Sequence, residues 1–125
     1  MPNKRALQVE VEEPVDTKAD VGASLRATLE NINTKEGVLG YILRGPSSAS
    51  VDLKDSSRII DYAVLSSAAF ESSESLSHLF ELDTIRNVVL EGKDVKVLCL
   101  TIGDHRISIF MDKKADHNSL YRKLT

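Results

Sequence analysis

The sequence has a single cysteine, no excess of positive charge and no long apolar run, and each of these absences argues against a class of protein. Cys99 has no second cysteine with which to form an internal disulfide, which agrees with a reducing compartment. The formal net charge of −3, with 16 Lys and Arg among 19 Asp and Glu, gives no field that attracts a polyanion. Nucleic acid is therefore not an expected partner.

The apolar runs that are present, such as Val97–Ile102, are far too short to span a bilayer. The N-terminal residues also lack the apolar core of a signal peptide, so we expect a cytoplasmic protein without a membrane span. The 125 residues are 42% hydrophobic and 28% charged, which is the balance of a soluble globular protein. One packed domain is therefore predicted.

The first nineteen residues mix charges of both signs around Pro14 and predict a mobile tail, which leaves a single domain at residues 20–125. The alternation at Leu7–Val11 keeps an added edge strand open as an alternative, because period-2 spacing is typical of a half-buried strand. From Asp20, which suits a helix N-cap, the apolar spacing changes to intervals of three and four. A first helix is predicted there.

Strand-forming residues follow that helix. β-Branched and aromatic residues predict a strand at Val38–Arg44, and Gly45–Ser48 forms a turn cluster. A second strand at Ala49–Leu53 is predicted to return antiparallel to the first.

The C-terminal half of the chain, after a long helix, predicts a three-stranded meander with glycine in each connection. Its strands are expected at Thr84–Glu91, Val95–Ile102 and Arg106–Met111. A short last helix is expected to begin at Asn118 as N-cap. The order α-β-β-α-β-β-β-α predicts an α+β domain, with a five-stranded, mostly antiparallel sheet and helices on both of its faces.

The long helix, predicted from Ser57 to Glu81, carries its apolar residues in two stripes at 100° per residue. The first stripe consists of Tyr62, Leu65, Ala69, Leu76 and Phe80. The second consists of Ile59, Ile60, Ala63, Val64 and Phe70. A sheet face of the same chain can cover one stripe, so a second copy of the chain is predicted to cover the other. The alternative is cover by the tail or the first helix.

No residue pattern indicates catalysis, a cofactor or a metal site. His78, His105 and His117 lack a His or Cys partner at the spacing of compact metal sites. Cys99 is interpreted as a buried, inert thiol in a strand, and no serine lies in a nucleophile elbow. The run Glu71–Ser75 is interpreted as a solvated helix face, with phosphorylation as the alternative.

Three segments resemble the Roadblock family, which includes the Roadblock-type dynein light chains. They are Glu36–Leu43, Val88–Asp94 and Gly103–Phe110. The likeness runs from about Asp20 to Leu124 and rests on element order and apolar pattern. It implies a profilin-like fold and a dimer in which the long helices pack together and the third strands join two sheets.

Carried onto this sequence, the resemblance implies a dimer interface. Its residues would be Ile59, Ala63, Ser66, Phe70, Thr84, Arg86 and Val88. Family members regulate small Ras-like GTPases or serve as motor and signalling scaffolds. The expected function is therefore that of a non-catalytic homodimer that binds and regulates a small GTPase.

Two alternatives to this function remain open. One is a structural adaptor, like a dynein light chain, whose binding does not depend on nucleotide. The other is a profilin-like or PAS-like sensor that holds a small molecule in an internal pocket. The crowded apolar positions of the last three strands argue against such a pocket.

Overall fold

The helices and strands follow the order that the apolar pattern predicts, with one short strand added at the start. The structure, a computed structural model, describes residues 8–10 and 17–125, with side chains from residue 21 onward. Its elements are β1 (Gln8–Glu10), α1 (Thr17–Ile32), β2 (Val38–Arg44), β3 (Ala49–Leu53), a 3-10 turn (Ser56–Arg58), α2 (Ile59–Phe80), β4 (Asn87–Glu91), β5 (Val95–Ile102), β6 (His105–Asp112) and α3 (His117–Leu124).

The strands form one antiparallel sheet in the order β1-β3-β2-β6-β5-β4. The β5 and β6 strands pair along their whole length, from Val95 opposite Asp112 to Ile102 opposite His105. The α+β fold class and the five expected strands are confirmed. The third of these strands begins at Asn87 instead of Thr84, so residues 84–86 approach the sheet without joining it.

The N-terminal residues depart from the expected boundary. Strand β1 pairs with β3, so the edge strand that was the alternative for Leu7–Val11 is present at residues 8–10. Helix α1 begins at Thr17, before the expected Asp20, and the predicted boundary after residue 19 therefore falls inside this helix. The mobile tail stays a prediction for residues 1–7 and 11–16, which lie outside the described residues.

The two faces of the sheet bury separate apolar clusters. Strand residues alternate between the faces, so Leu98 and Leu100 pack with α1 and α3 while Val97 and Cys99 pack with α2. The prediction of helices on both faces is confirmed. Tyr62 of α2 stacks on the fully buried Phe110 of β6, with ring centroids 4.3 Å apart and planes 8° from parallel.

The buried face of α2 draws on both predicted stripes. Its buried residues are Tyr62, Ser66, Ala69 and Phe70. Their spacing of i, i+4, i+7 and i+8 covers an arc of about 100° on a helix. The division into two stripes was wrong in this respect: Leu76 and Phe80 of the first and Ile60 and Val64 of the second all face solvent.

Aspartate side chains fix the starts of the last two helical segments. Asp55 caps the 3-10 turn that leads into α2, because its Oδ1 accepts the Ser57 N–H at 3.1 Å. The cap of α3 is Asp116 and not the expected Asn118. The Asp116 carboxylate accepts the N–H groups of Asn118 and Ser119 at 3.1 and 3.3 Å, so it satisfies two donors that have no partner inside the helix.

A β-bulge near the start of β2 requires glycine. The register of β2 against β6 shifts between Val38 and Gly40, and Gly40 has a φ of +152°. A Cβ atom at this position would lie 2.7 Å from the Leu53 Cα of the neighbouring strand. Backbone atoms cannot move aside as the end of a side chain can, so glycine holds β2 and β3 in register.

We predict that Gly40→Ala lowers the free energy of unfolding by about 3 kcal/mol, because the new methyl group overlaps the β3 backbone. Gly103→Ala is the matched control: its φ is also positive, at +58°, but nothing lies within 4 Å of the added Cβ. That control should cost only about 1 kcal/mol. Urea unfolding of both variants checks this, and equal losses would contradict the role given to Gly40.

Candidate protein-interaction surface

Helix α2 presents further apolar side chains that the sheet does not cover. We call the residues of its first half the N-terminal patch: Ile60, Val64, Leu65 and Ala68. We call those around its end the C-terminal patch: Leu76, Leu79, Phe80 and Leu82. All eight residues are exposed, and Ile60 and Leu79 each retain 73% of their accessible surface. Single exposed apolar residues are ordinary, but a series along one helix is typical of a surface that binds a partner.

The buried side of α2 is held to the sheet by contacts that fix the rotation of the helix. The Ser66 and Ser108 hydroxyls hydrogen-bond at 2.6 Å in the buried layer between α2 and β6. Arg106 of β6 lies over the ring of Phe70, 5.3 Å from its centroid, and also pairs with Glu74. Because these contacts fix the rotation of α2, Ile60 and Val64 cannot turn toward the core.

The seven residues predicted for a dimer interface divide into two groups. Ser66 and Phe70 are buried within the single chain, and Ile59 and Val88 are half-buried against the same cluster. These four therefore support the surface from beneath. The exposed members are Ala63, Thr84 and Arg86, of which the last two lie in the segment that precedes β4.

Three further exposed residues of α2, Ile60, Val64 and Leu65, belong to the two predicted stripes but not to the seven residues of the predicted interface. Ser66 lies on the buried face, where its hydroxyl is satisfied by another serine 42 positions away in the chain. Position 66 lies between Tyr62 and Phe70 at helical spacing. That spacing is the only signal that could have placed Ser66 inside.

The edge of the sheet beside this surface is open. Strand β4 pairs with β5 on one side and with no described strand on the other. Its sequence, Asn87–Glu91, contains no proline or lysine of the kind that protects edge strands. Val88 and Leu90 of β4 pair with Cys99 and Val97, which face α2. The apolar surface thus extends from α2 toward the β4 edge.

A partly open cavity of about 390 Å³ lies under the C-terminal half of α2. Phe70, Val88 and Cys99 contribute apolar walls, while Arg86 and the Glu74–Arg106 ion pair provide charge. The volume is that of a small-molecule site. The hydrogen-bond partner of the Cys99 thiol is the Ser108 hydroxyl, which is not a base that could activate it.

Cys99 is a buried thiol in a hydroxyl-lined layer. Burial raises the pKa of Cys99 above its ordinary value, and the hydrogen bond with Ser108, at 3.5 Å, opposes that rise. A thiol with a raised pKa stays protonated near neutral pH and is a poor nucleophile. This arrangement agrees with the interpretation of Cys99 as a core residue.

Metal binding, serine modification and a membrane span were the other features considered for residues 21–125. No three of their His, Cys, Asp or Glu side chains cluster as metal ligands would. In the run Glu71–Ser75, Ser72 and Ser75 are exposed and Ser73 is half-buried at the cavity, so most of the run is a solvated helix face. None of the described helices combines the length and apolarity needed to cross a membrane.

The fold is that of a Roadblock/LC7 domain. The chain is similar to the crystal structure of a Roadblock/LC7 domain from Streptomyces avermitilis, with a TM-score of 0.63 and 17% sequence identity, over 82% of this chain and 87% of that one. At this identity the likeness shows the fold alone, and the resemblance seen in three sequence segments is confirmed at that level. No protein-family model and no curated protein matches the sequence.

We predict that the stability of the protein falls as the solution becomes alkaline, in part because of Cys99. Above about pH 8.5, the ordinary range of a thiol, the unfolded chain loses the Cys99 proton while the folded chain keeps it. The unfolded state then binds fewer protons, so the free energy of unfolding decreases as pH rises.

Cys99→Ala should flatten this decrease between about pH 7.5 and about pH 9.5, a range chosen to lie below the titration of tyrosines. Burial raises the pKa of Tyr41 as well, so Tyr41 would add its own decrease in stability at higher pH. Urea unfolding at several pH values measures both proteins. The same slope in both would show that Cys99 does not contribute.

Proposed function

We propose that this chain is a non-catalytic protein-interaction module that works as a homodimer and regulates a small Ras-like GTPase. The observation that carries the proposal is the exposed N-terminal patch of α2 beside the open edge of β4, on a fold of the Roadblock type. A patch of this kind loses solvent contact when a second copy presents the same surface. Each large apolar side chain that becomes fully buried contributes about 1.5–3 kcal/mol.

A twofold axis through the N-terminal patch would place two α2 helices side by side, since a symmetric dimer uses the same residues on both chains. Ala68 is small and lets the two backbones approach each other. Arg58 of the 3-10 turn and Asp61 of α2 form an ion pair at 3.6 Å beside the patch, so the charges at the start of α2 balance each other. Ser66 and Phe70 support the interface by holding α2 in its rotation. The open edge of β4 could pair with its symmetry mate and join the two sheets.

We predict that Ile60→Glu/Val64→Glu converts the dimer to a monomer. Two carboxylates in a desolvated interface raise the dissociation constant by roughly a hundredfold or more. Because both residues are exposed in the single chain, the helix content should not change. Light scattering coupled to gel filtration measures the mass. Val21→Glu is the matched control, since Val21 is an exposed apolar residue on α1, across the sheet, and a double variant that stays dimeric would refute this interface.

The proposed regulation of a GTPase rests on the likeness to the Roadblock family. An activating protein can insert an arginine into the active site of a GTPase. The candidates for that role in this chain are Arg44, Arg58 and Arg86. Arg58 is held by Asp61 and lies 5.5 Å from the centroid of the Tyr62 ring, while Arg44 and Arg86 are exposed at separate places. We infer that the protein acts by ordering the switch loops of its partner and not by supplying an arginine.

We therefore expect a cognate GTPase to hydrolyse GTP at a different rate when this protein is added. The effect should survive the triple variant Arg44→Ala/Arg58→Ala/Arg86→Ala, because no arginine of this chain takes part in the chemistry. Single-turnover hydrolysis and a pull-down measure rate and binding in parallel. A rate effect that disappears with the triple variant would contradict the mechanism, and no change in rate or binding would contradict the proposed function.

The same pull-down separates the structural adaptor from the regulator. An adaptor binds its partner equally well when GDP or GTP is present, whereas a regulator distinguishes the two states. Binding that is insensitive to nucleotide would favour the adaptor.

A further inference from the structure

We propose that the C-terminal patch of α2 is a second docking site, and that its occupant is a basic amphipathic helix of a partner protein. The site differs from the proposed dimer surface, which uses the N-terminal patch. The exposed residues Glu71, Ser72 and Ser75 separate the two patches along the helix. The inference does not depend on the identity of any GTPase.

The patch consists of large side chains with little cover. Leu79 is 73% exposed, Phe80 62% and Leu82 53%, and Leu76 is also nearly half exposed. Leu76, Leu79 and Phe80 stand at i, i+3 and i+4, so they form the kind of ridge that packs into the groove of another helix. Such a ridge suits a helical occupant.

The end of the helix is held in a fixed shape, which places Leu82 beside the ridge. Glu81 adopts a left-handed conformation with a φ of 54°, and the Leu82 N–H donates to the Ser77 carbonyl at 3.0 Å. The Ser77 hydroxyl also donates to the carbonyl of Asp83. A surface fixed in this way loses less entropy when a partner binds.

Negative charge around the C-terminal patch favours a positively charged occupant. The segment from Glu71 to Ile85 contains four carboxylates and neither lysine nor arginine. Glu74 pairs with Arg106, but Glu71, Glu81 and Asp83 are exposed and make no ion pair with any other described residue. The C-terminus of α2 adds the negative end of the helix dipole at the same place. Lysines and arginines beside the apolar face of an incoming helix would complement this field.

The same charges disfavour two other occupants. A second copy of the C-terminal patch would bring like charges together, which costs free energy at an interface. A membrane surface rich in anionic lipids would repel the carboxylates. A basic helix therefore fits the apolar ridge and its acidic rim together.

The test uses two synthetic amphipathic peptides with the same leucine face, one with lysines and one with glutamates on the polar face. Fluorescence anisotropy measures their binding to the full chain. The lysine peptide should bind roughly tenfold or more tightly than the glutamate peptide, and added salt should reduce the difference because it screens exposed charges. Equal binding of both peptides would overturn the proposal.

Variants locate the site. Leu79→Ser/Phe80→Ser should abolish binding of the lysine peptide, while Val21→Ser, an exposed apolar residue elsewhere, should leave it unchanged. Glu71→Gln/Glu81→Asn/Asp83→Asn should weaken it roughly tenfold. Asparagine suits positions 81 and 83 because both have a positive φ. Unchanged binding in the first or the third variant would overturn the proposal.

The mass of Leu79→Ser/Phe80→Ser in solution distinguishes this proposal from the proposed dimer. We expect the variant to remain dimeric and to lose only the peptide. If it becomes monomeric, the C-terminal patch belongs to the subunit interface and the second docking site is refuted. If wild type and variant are both monomeric yet the wild type binds the lysine peptide, the dimer fails while the docking site stands.

Discussion

Helix α2 carries apolar side chains around more of its circumference than one face of a sheet can cover, and the interpretation of the whole molecule depends on this constraint. The sheet takes an arc that contains Tyr62, Ser66 and Phe70. The remaining arc, with Ile60 and Val64, stays in solvent. Because exposed apolar area costs free energy in water, cover from another polypeptide is favourable.

The rotation of α2 is therefore as important as its apolar content. The stacking of Tyr62 on Phe110 and the hydrogen bond between Ser66 and Ser108 fix that rotation at two levels of the helix. A hydroxyl pair fixes the rotation because both hydroxyls are hydrogen-bonded only when the two serines face each other in the buried layer. A different rotation would leave a buried polar group without a partner and would turn Ile60 toward the sheet. The core on one side of α2 thus determines the binding surface on the other.

Much of the fold could be predicted from the sequence, because period-2 and period-3.6 patterns are local. Strand β5 runs from Val95 to Ile102 as predicted, and glycine in the connections placed the hairpins. The predicted cap of α3 was wrong because a competing contact decides: the Asp116 carboxylate reaches two N–H groups and displaces Asn118. The hydrogen bond between Ser66 and Ser108 joins residues 42 positions apart, so no local pattern could predict it. The segment at Thr84–Arg86 has strand-forming residues but follows directly on the fixed end of α2, so it joins β5 only from Asn87. The apolar pattern was enough to predict the helix that carries the candidate surface. Which of its side chains are exposed depends on these non-local contacts.

The most direct test of the central claim is the distance between two copies of α2 in solution. A nitroxide label attached at Ser75→Cys, in a Cys99→Ala background, reports that distance by pulsed electron paramagnetic resonance, and Ser75 is an exposed residue of α2. We predict a single, narrow distance distribution, which broadens and disappears when Ile60 and Val64 are replaced by glutamate. A label that shows no dipolar partner in the otherwise unaltered protein, at concentrations where the chain is folded, would contradict it.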